Sequence, residues 1–260
     1  MPHRPTGSIT AKPEPHTRCL ECPVRDLALF KGVPEDRLDW TQNYRQSQYT
    51  ATPKQHLYHE GEKADFAFTL FSGWVVLYKS LDNGKRQILR FALPGDFLGF
   101  QPNLEGPMSH SAQALTNTTL CAFPRNKLST MFTERTELGM RMAQMNAQYM
   151  ALCQHHLLGT GRKSAKERIA FLLIELWHRV RSLEGILEGM DEDSIEFPVA
   201  QEEIGDAVGL TTVHVNRTLK ELREEGYLEL ANRRLKIHRC DDLAELAHFD
   251  PAVLAHHPLM

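Results

Sequence analysis

Within the stretch AQEEIGDAVGLTTVHVNRTLKELREEG, Ala200 to Gly226, three residues narrow the folds open to this chain more than any others. Two helices that cross at a tight turn need a small residue where they touch, a residue free to take positive φ between them, and an apolar plug. Gly205, Gly209 and Val215 supply these in that order, so the spacing predicts a helix-turn-helix. The first helix turns Ile204 and Val208 inward and stops at Gly209. Thr211 caps the second and Gly226 ends it. Along that second helix Val215, Leu219 and Leu222 fall at i, i+4 and i+7, the stripe of a helix pressed on a core. Val213, Asn216, Arg217 and Lys220 form a second such set on the other face, which packing does not need.

The strands that follow suggest a use for that face. YLEL and RLKIH alternate around Ala231-Asn232-Arg233-Arg234, and SIEFPV offers a third strand, which together make a β-wing. In a winged helix-turn-helix the second helix enters the major groove of double-stranded DNA. Arg217 can donate bidentately to guanine O6 and N7, Asn216 can address a base edge, and Val213 can touch a thymine methyl. Thr211, Thr212 and His214, at the helix start, suit phosphates, where the dipole also favours an anion. Lys220 either contacts DNA or is simply solvated. The blander alternative is a winged helix that binds protein or only packs. Charge does not decide between them: the chain carries −3, and Val199 to Cys240 holds seven Lys/Arg against seven Asp/Glu. Distribution favours DNA, because Arg217 and Lys220 share the outward face and Arg233 and Arg234 sit in a turn.

Upstream the pattern changes. Residues 1–18 are rich in proline and polar groups and read as a disordered tail. Across 19–125 short β-favouring runs (HLY, FAFTLF, WVVLYK, QILRFAL) alternate with turn signals such as Asp82-Asn83-Gly84 and Pro94-Gly95-Asp96, which predicts a β-sandwich or barrel. Over 126–160 the period becomes helical. Met131, Leu138, Met145 and Leu152 lie seven apart, with Met142, Tyr149 and His156 offset by four. Such a repeat predicts a coiled-coil seam and a homodimer; the alternative is a helix buried in its own domain. Gly159 and Gly161 should break this helix. Ser164 should open another, with Ile169, Leu172, Leu173, Leu176 and Val180 on one side. Residues 161–240 then form the winged helix-turn-helix domain, with an acidic, glycine-punctuated loop around LEGILEGMDEDSIE, and 241–260 a C-terminal tail. The fold class is α+β.

At 260 residues and 42% hydrophobic content the chain can bury one or two cores. No apolar run approaches the ~18 residues of a membrane span, and the start lacks the apolar centre of a secretory signal. A cytoplasmic protein away from membranes is expected. Five scattered cysteines argue for free thiols or metal ligands rather than a disulfide framework.

A β-sandwich, a dimer helix and a C-terminal winged helix in that order resemble the Crp/Fnr family of bacterial transcription regulators, from about Leu27 to Ile237. The likeness is strongest over EEIGDAVGLTTVHVNRTLKELREEGYLEL, where Arg217 takes the place of the family's base-reading arginine. Val213 and Asn216 replace residues common in its two best-known branches, which implies a different half-site. The resemblance implies a cyclic-nucleotide-type β-roll (jelly roll) as sensor, a homodimer, and RNA polymerase as a further partner. It also implies that cyclic AMP is not the effector. Gly99-Phe100 stands where nucleotide binders have Gly-Glu, and His110-Ser111 where they have Arg-Ser, so a ring phosphate lacks its bidentate partner. Ser111 with a protonated His110 could take another anion, or His110 is structural.

CLECP, with Cys19 and Cys22, resembles the start of the cysteine cluster of the oxygen-sensing Fnr branch. Cys121 matches that branch's distant cysteine, and Ala28 stands where a third amino-terminal one belongs. The resemblance therefore implies a [4Fe–4S] cluster on Cys19, Cys22 and Cys121, completed by His16, Glu21 or Asp26. The alternative is a redox-active or idle CxxC beside a buried strand cysteine.

The rival of another class is a cupin-like metal-dependent enzyme on the β-roll, suggested by His56 to Glu60, HLYHE. Residues three apart on a strand point to opposite faces, so His56 and His59 should not share an ion without a bulge. No HExxH, GxSxG, P-loop or Rossmann fingerprint is present. A non-enzymatic regulator is expected.

Overall fold

The computed structural model describes residues 9–12, 14–183 and 193–254; most of the expected acidic loop lies outside them. The chain divides into two compact units, residues 1–81 with 90–143, and residues 82–89 with 144–260.

The first unit is a two-sheet β-roll, as the short alternating runs predict. Its strands are β1 (Thr10–Ala11), β2 (Ser47–Ala51), β3 (His56–Tyr58), β4 (Phe66–Ser72), β5 (Val75–Ser80), the end of β6 (Arg86–Ala92, of which 90–92 belong to this unit), β7 (Phe97–Leu98), β8 (Ser111–Ala114) and β9 (Thr118–Pro124), with helix α1 (Leu38–Tyr44) between β1 and β2. One sheet runs β1-β2-β9-β4-β7 and the other β3-β8-β5-β6. Tyr58, Phe68, Leu70, Val75, Leu77, Leu98, Met108, Ala112, Leu120 and Ala122 come from both sheets and the loop before β8 to form one buried core. Phe68 with Leu70, and Leu120 with Ala122, are i, i+2 pairs. Strand alternation therefore turns Thr69 and Cys121 to the outer face of the five-stranded sheet. Cys121 lies there in register between Gln48 of β2 and Thr69 of β4. Within the stretch expected as a loose tail, Thr10 and Ala11 pair with Thr50 and Tyr49.

After α2 (Leu128–Glu134) the chain enters α3 (Thr136–Arg162). The expected seam is corrected in three ways. Met131 belongs to α2, not to the long helix. Leu138, Met142, Met145 and Leu152 are buried within the chain itself, so the sevenfold series marks the face that packs inward. The glycines do not break α3, which continues through Gly159 and Gly161 to Arg162. A different heptad stripe is exposed: Met140, Ala143, Ala147, Met150, Gln154, Leu157 and Gly161, with Met150 at 61% and Leu157 at 74% accessibility.

In the second unit α4 (Ala165–Arg181) opens with a reciprocal capping box. Ser164 Oγ accepts from Glu167 N–H at 3.3 Å, and the Glu167 carboxylate accepts from Ser164 N–H at 2.6 Å. Its predicted apolar side, Ile169, Leu172, Leu173, Leu176 and Val180, is buried. There follow β10 (Ile195–Glu196), α5 (Gln201–Val208), α6 (Thr212–Glu224), β11 (Leu228–Ala231) and β12 (Arg234–Ile237), the three strands forming the wing in the order β10-β12-β11. The turn between β11 and β12 has φ of 51° at Asn232 and 59° at Arg233, the backbone of a tight two-residue hairpin. The segment expected as a C-terminal tail is instead α7 (Cys240–Ala247), which buries Leu243, Ala247 and the following Phe249. No helix among the described residues is long and apolar enough to cross a membrane.

Candidate nucleic-acid interface and thiol site

The helix-turn-helix has the build its three key residues require. A Cβ at Gly205 would sit 2.6 Å from the Leu210 carbonyl oxygen, so only glycine fits. Gly209 takes φ of +70°, and Val215 is fully buried beneath the turn. Arg168 of α4 donates from Nη1 to the Val208 carbonyl at 2.9 Å, satisfying an end of α5. The obstructing atom near Gly205 is backbone and cannot rotate away. Gly205→Val is therefore expected to lever α6 out of place and abolish DNA binding while the β-roll stays folded, as gel-shift titration and circular dichroism would report.

On α6, Thr211 accepts from His214 N–H at 3.3 Å as N-cap, and Val215, Thr218, Leu219 and Leu222 are buried. The other face is free. Val213 is 82% accessible, an exposure that a branched apolar residue on a rigid helix does not gain from packing. Thr211, Thr212, Asn216, Arg217 and Lys220 are exposed too, and His214 is half-buried. Arg217 Nε lies 4.0 Å from Glu221, and Lys220 Nζ lies 3.6 Å from Glu224. Both pairs are solvent-exposed and worth only a few tenths of a kcal/mol, so an incoming phosphate or base edge can displace them. Asn216 Nδ2 donates to Gln201 Oε1 at 3.1 Å. Gln201, the first residue of α5, was not singled out from sequence; its place at a helix start beside the recognition face was the available sign.

The three cysteines meet on the outer face of the β-roll. Cys19, Cys22, Ala28, Arg25, Arg45, Gln48, Thr69 and Cys121 line one cavity. Gln48 Nε2 donates to Cys121 Sγ at 3.4 Å. Burial raises the Cys19 thiol, with Arg45 pulling the other way. Cys22 is pushed up to about 11, chiefly by burial and further by the neighbouring Cys121 and Cys19, against the Val24 backbone and Arg45. Two buried polar atoms facing this cavity, Thr69 Oγ1 and Arg25 Nη1, have no partner among the described residues. No three His, Cys, Asp or Glu side chains among the described residues converge to hold a single ion. Three thiols, two arginines and an unpartnered hydroxyl around one cavity are the donor and charge types that would hold an anionic iron–sulfur cluster there. His16, Glu21 and Asp26 do not line the cavity: the His16 ring bonds the Lys12 carbonyl at 2.9 Å, and Glu21 and Asp26 are exposed.

The two remaining clusters resolve differently. The pairing register slips between His56 and Tyr58, and the His56 and His59 rings lie 4.1 Å apart between centroids. Strand alternation does not set the face of His59, which lies past the end of β3, and among the described residues no third acidic, thiol or imidazole ligand joins the two rings. His110 is hydrogen-bonded by the Tyr58 hydroxyl at 3.0 Å and contacts Ser109 Oγ at 3.2 Å. Burial, with Arg90 and Lys79, lowers it to about 4 against the pull of Glu60, which makes it a neutral structural histidine. Ser111 Oγ accepts from Glu60 N–H at 2.9 Å.

A nucleotide-binding-type β-roll followed by a winged helix-turn-helix with an unused recognition face defines a DNA-binding transcription regulator. Comparison with known proteins agrees. Residues 50–135 match the cyclic nucleotide-binding domain and residues 167–246 the Crp-like helix-turn-helix domain. The chain is 34% identical to the transcriptional activatory protein AadR of Rhodopseudomonas palustris, over 86% of this chain and 90% of that protein. It is 29% identical to the nitrogen fixation regulation protein FixK of Bradyrhizobium diazoefficiens, over 82% and 86%. The structure of FixK2 from Bradyrhizobium japonicum superposes with a TM-score of 0.69 at 27% identity, covering 77% of this chain and 96% of that one. The chain belongs to the Crp/Fnr family of transcription regulators. Its relatives regulate transcription rather than catalyse a reaction.

Proposed function

We propose that the protein acts in the cytoplasm as a homodimer that reads two DNA half-sites with α6 and works alongside RNA polymerase. The observation that carries this reading is the exposed face of α6 opposite a fully buried stripe. Arg217 reads guanine, Asn216 a neighbouring base edge and Val213 a thymine methyl, while Thr211, Thr212, His214 and Lys220 hold phosphates. The exposed heptad stripe of α3, not the buried one, is the dimer seam, and pairs two α6 helices one helical turn apart, about 34 Å. Cys19, Cys22 and Cys121 hold an iron–sulfur cluster, which when bound would supply sensitivity to oxygen or redox state. His110 and Ser111, engaged inside the β-roll, speak against cyclic AMP as the effector.

Arg217→Ala tests the DNA reading. It is expected to weaken operator binding by about 1–3 kcal/mol per half-site and to relax the sequence preference at one base pair. Lys220→Ala should weaken all sequences alike and lower the salt dependence. An Arg217→Ala protein with an unchanged footprint and affinity would remove the assignment, and absence of any salt-dependent DNA binding would favour a protein-binding winged helix.

A further inference from the structure

The thiol cavity has one buried hydroxyl oxygen with no partner among the described residues. We infer that Thr69 Oγ1 supplies the fourth ligand of the iron–sulfur cluster, beside Cys19, Cys22 and Cys121. The inference rests on the cluster reading above and completes its ligand set.

Each iron of a cubane cluster takes one ligand from outside, so three thiolates leave one corner to fill. The side chains around the cavity leave few donors. Ala28 presents only a methyl, and Arg25 and Arg45 are cations that offset the cluster's negative charge but cannot ligate it. Gln48 is committed on both sides: its amide oxygen accepts from Thr17 N–H at 3.2 Å and its nitrogen donates to Cys121. Thr17 is held at the cavity by its backbone, whose carbonyl accepts from Arg45 Nη1 at 2.5 Å, and its side chain is half-buried.

Thr69 differs. It is 5% accessible, and its hydroxyl has no partner among the described residues. A buried hydroxyl left unpaired costs about 1–3 kcal/mol, and native folds keep few of them without a use. Thr69 is also directly opposite Cys121 in the β4–β9 register, and residues so paired carry their Cβ atoms roughly 4.5–5.5 Å apart on one face. The sheet thus presents a sulfur and an oxygen side by side as a rigid half of the ligand set, and the Cys19–Cys22 segment supplies the other half. Oxygen is a harder ligand than thiolate, so the iron it holds is the one lost first.

Full-length protein reconstituted without oxygen from ferric iron, sulfide and excess thiol reductant, with iron, sulfide and the electron paramagnetic resonance spectrum measured before and after mild dye oxidation, tests this. Wild type is expected to hold ~4 irons per chain. Thr69→Val should retain the cluster with one iron fewer and, once a mild redox dye removes one electron from its three-iron core, show the half-integer signal of that oxidised species. Thr69→Cys should keep all the irons and lose them more slowly in air, and Thr17→Val should match wild type. An unchanged melting temperature of iron-free Thr69→Val would show that the loss is not misfolding. Thr69→Val with the full iron content and wild-type air lifetime would overturn the Thr69 assignment alone. Wild type that takes up no iron under these conditions would overturn the cluster reading and this inference together.

Discussion

Met150→Lys combined with Leu157→Lys is expected to yield a monomer that still folds and binds its operator about 10²–10⁴-fold more weakly, because two tethered half-site contacts become one. Both side chains project from the exposed stripe of α3, where none of the described residues covers them. Charging them costs the free protomer little, whereas a lysine on each side of a paired seam is repelled and desolvated. Leu138→Ala gives the contrasting result. That side chain is buried inside the protomer, so its truncation should lower stability by about 2–5 kcal/mol without first dissociating a dimer. Sedimentation velocity and urea titration separate the two. A double lysine variant that sediments as a dimer would place the seam elsewhere.

The same helix shows where sequence reading stops. A sevenfold apolar series identifies a face, not what covers it. Leu138, Met145 and Leu152 carry the stronger apolar signal because they fill the protomer's own core. The exposed stripe reads Met, Ala, Ala, Met, Gln, Leu, Gly, too small and mixed for periodicity to pick out. Likewise Gly159 and Gly161 cost helix propensity of about 1 kcal/mol each, which tertiary packing of α3 outweighs. At His56 and His59 alternation had nothing to say, because β3 ends at Tyr58 and the register slips within it. Thr69 was invisible for a plainer reason: threonine is an ordinary strand former, and only the register beside Cys121 and the unpaired hydroxyl distinguish it.

The helix-turn-helix was legible because its residues have few alternatives. Gly205 is fixed by a 2.6 Å approach and Gly209 by positive φ, and such demands fall on single residue types. The strands of the roll were legible for a related reason, since alternating apolar runs between turn residues have few other uses. The wing followed from Asn232-Arg233 and its flanking alternation. What the recognition face contacts, base by base, is set by a partner whose sequence the chain does not encode.

Glu175→Ala is expected to destabilise the second unit by about 3–5 kcal/mol, the largest single loss anticipated there, because it strips the partner from the Arg179 guanidinium and from the His156 ring. Glu175 of α4 is almost wholly buried. It accepts from His156 Nε2 on α3 at 2.7 Å and from Arg179 Nη1 one turn on at 3.2 Å. Burial alone would push its carboxyl upward, but the hydrogen bond and charge of His156, joined by Arg179, outweigh it and hold the group below the ordinary carboxylate range. A carboxyl depressed in the folded state contributes stability that is complete above its unfolded pKa, about 4.3, and is lost as pH falls through the folded one. Wild type should therefore exceed Glu175→Gln in urea midpoint at neutral pH, and the gap should close as pH is lowered through and below that range. Because the pair ties the end of α3 to α4, Glu175→Gln should also raise hydrogen exchange where the two helices meet. A gap that stays constant on acidification would mean that Glu175 acts by shape alone and not through its charge.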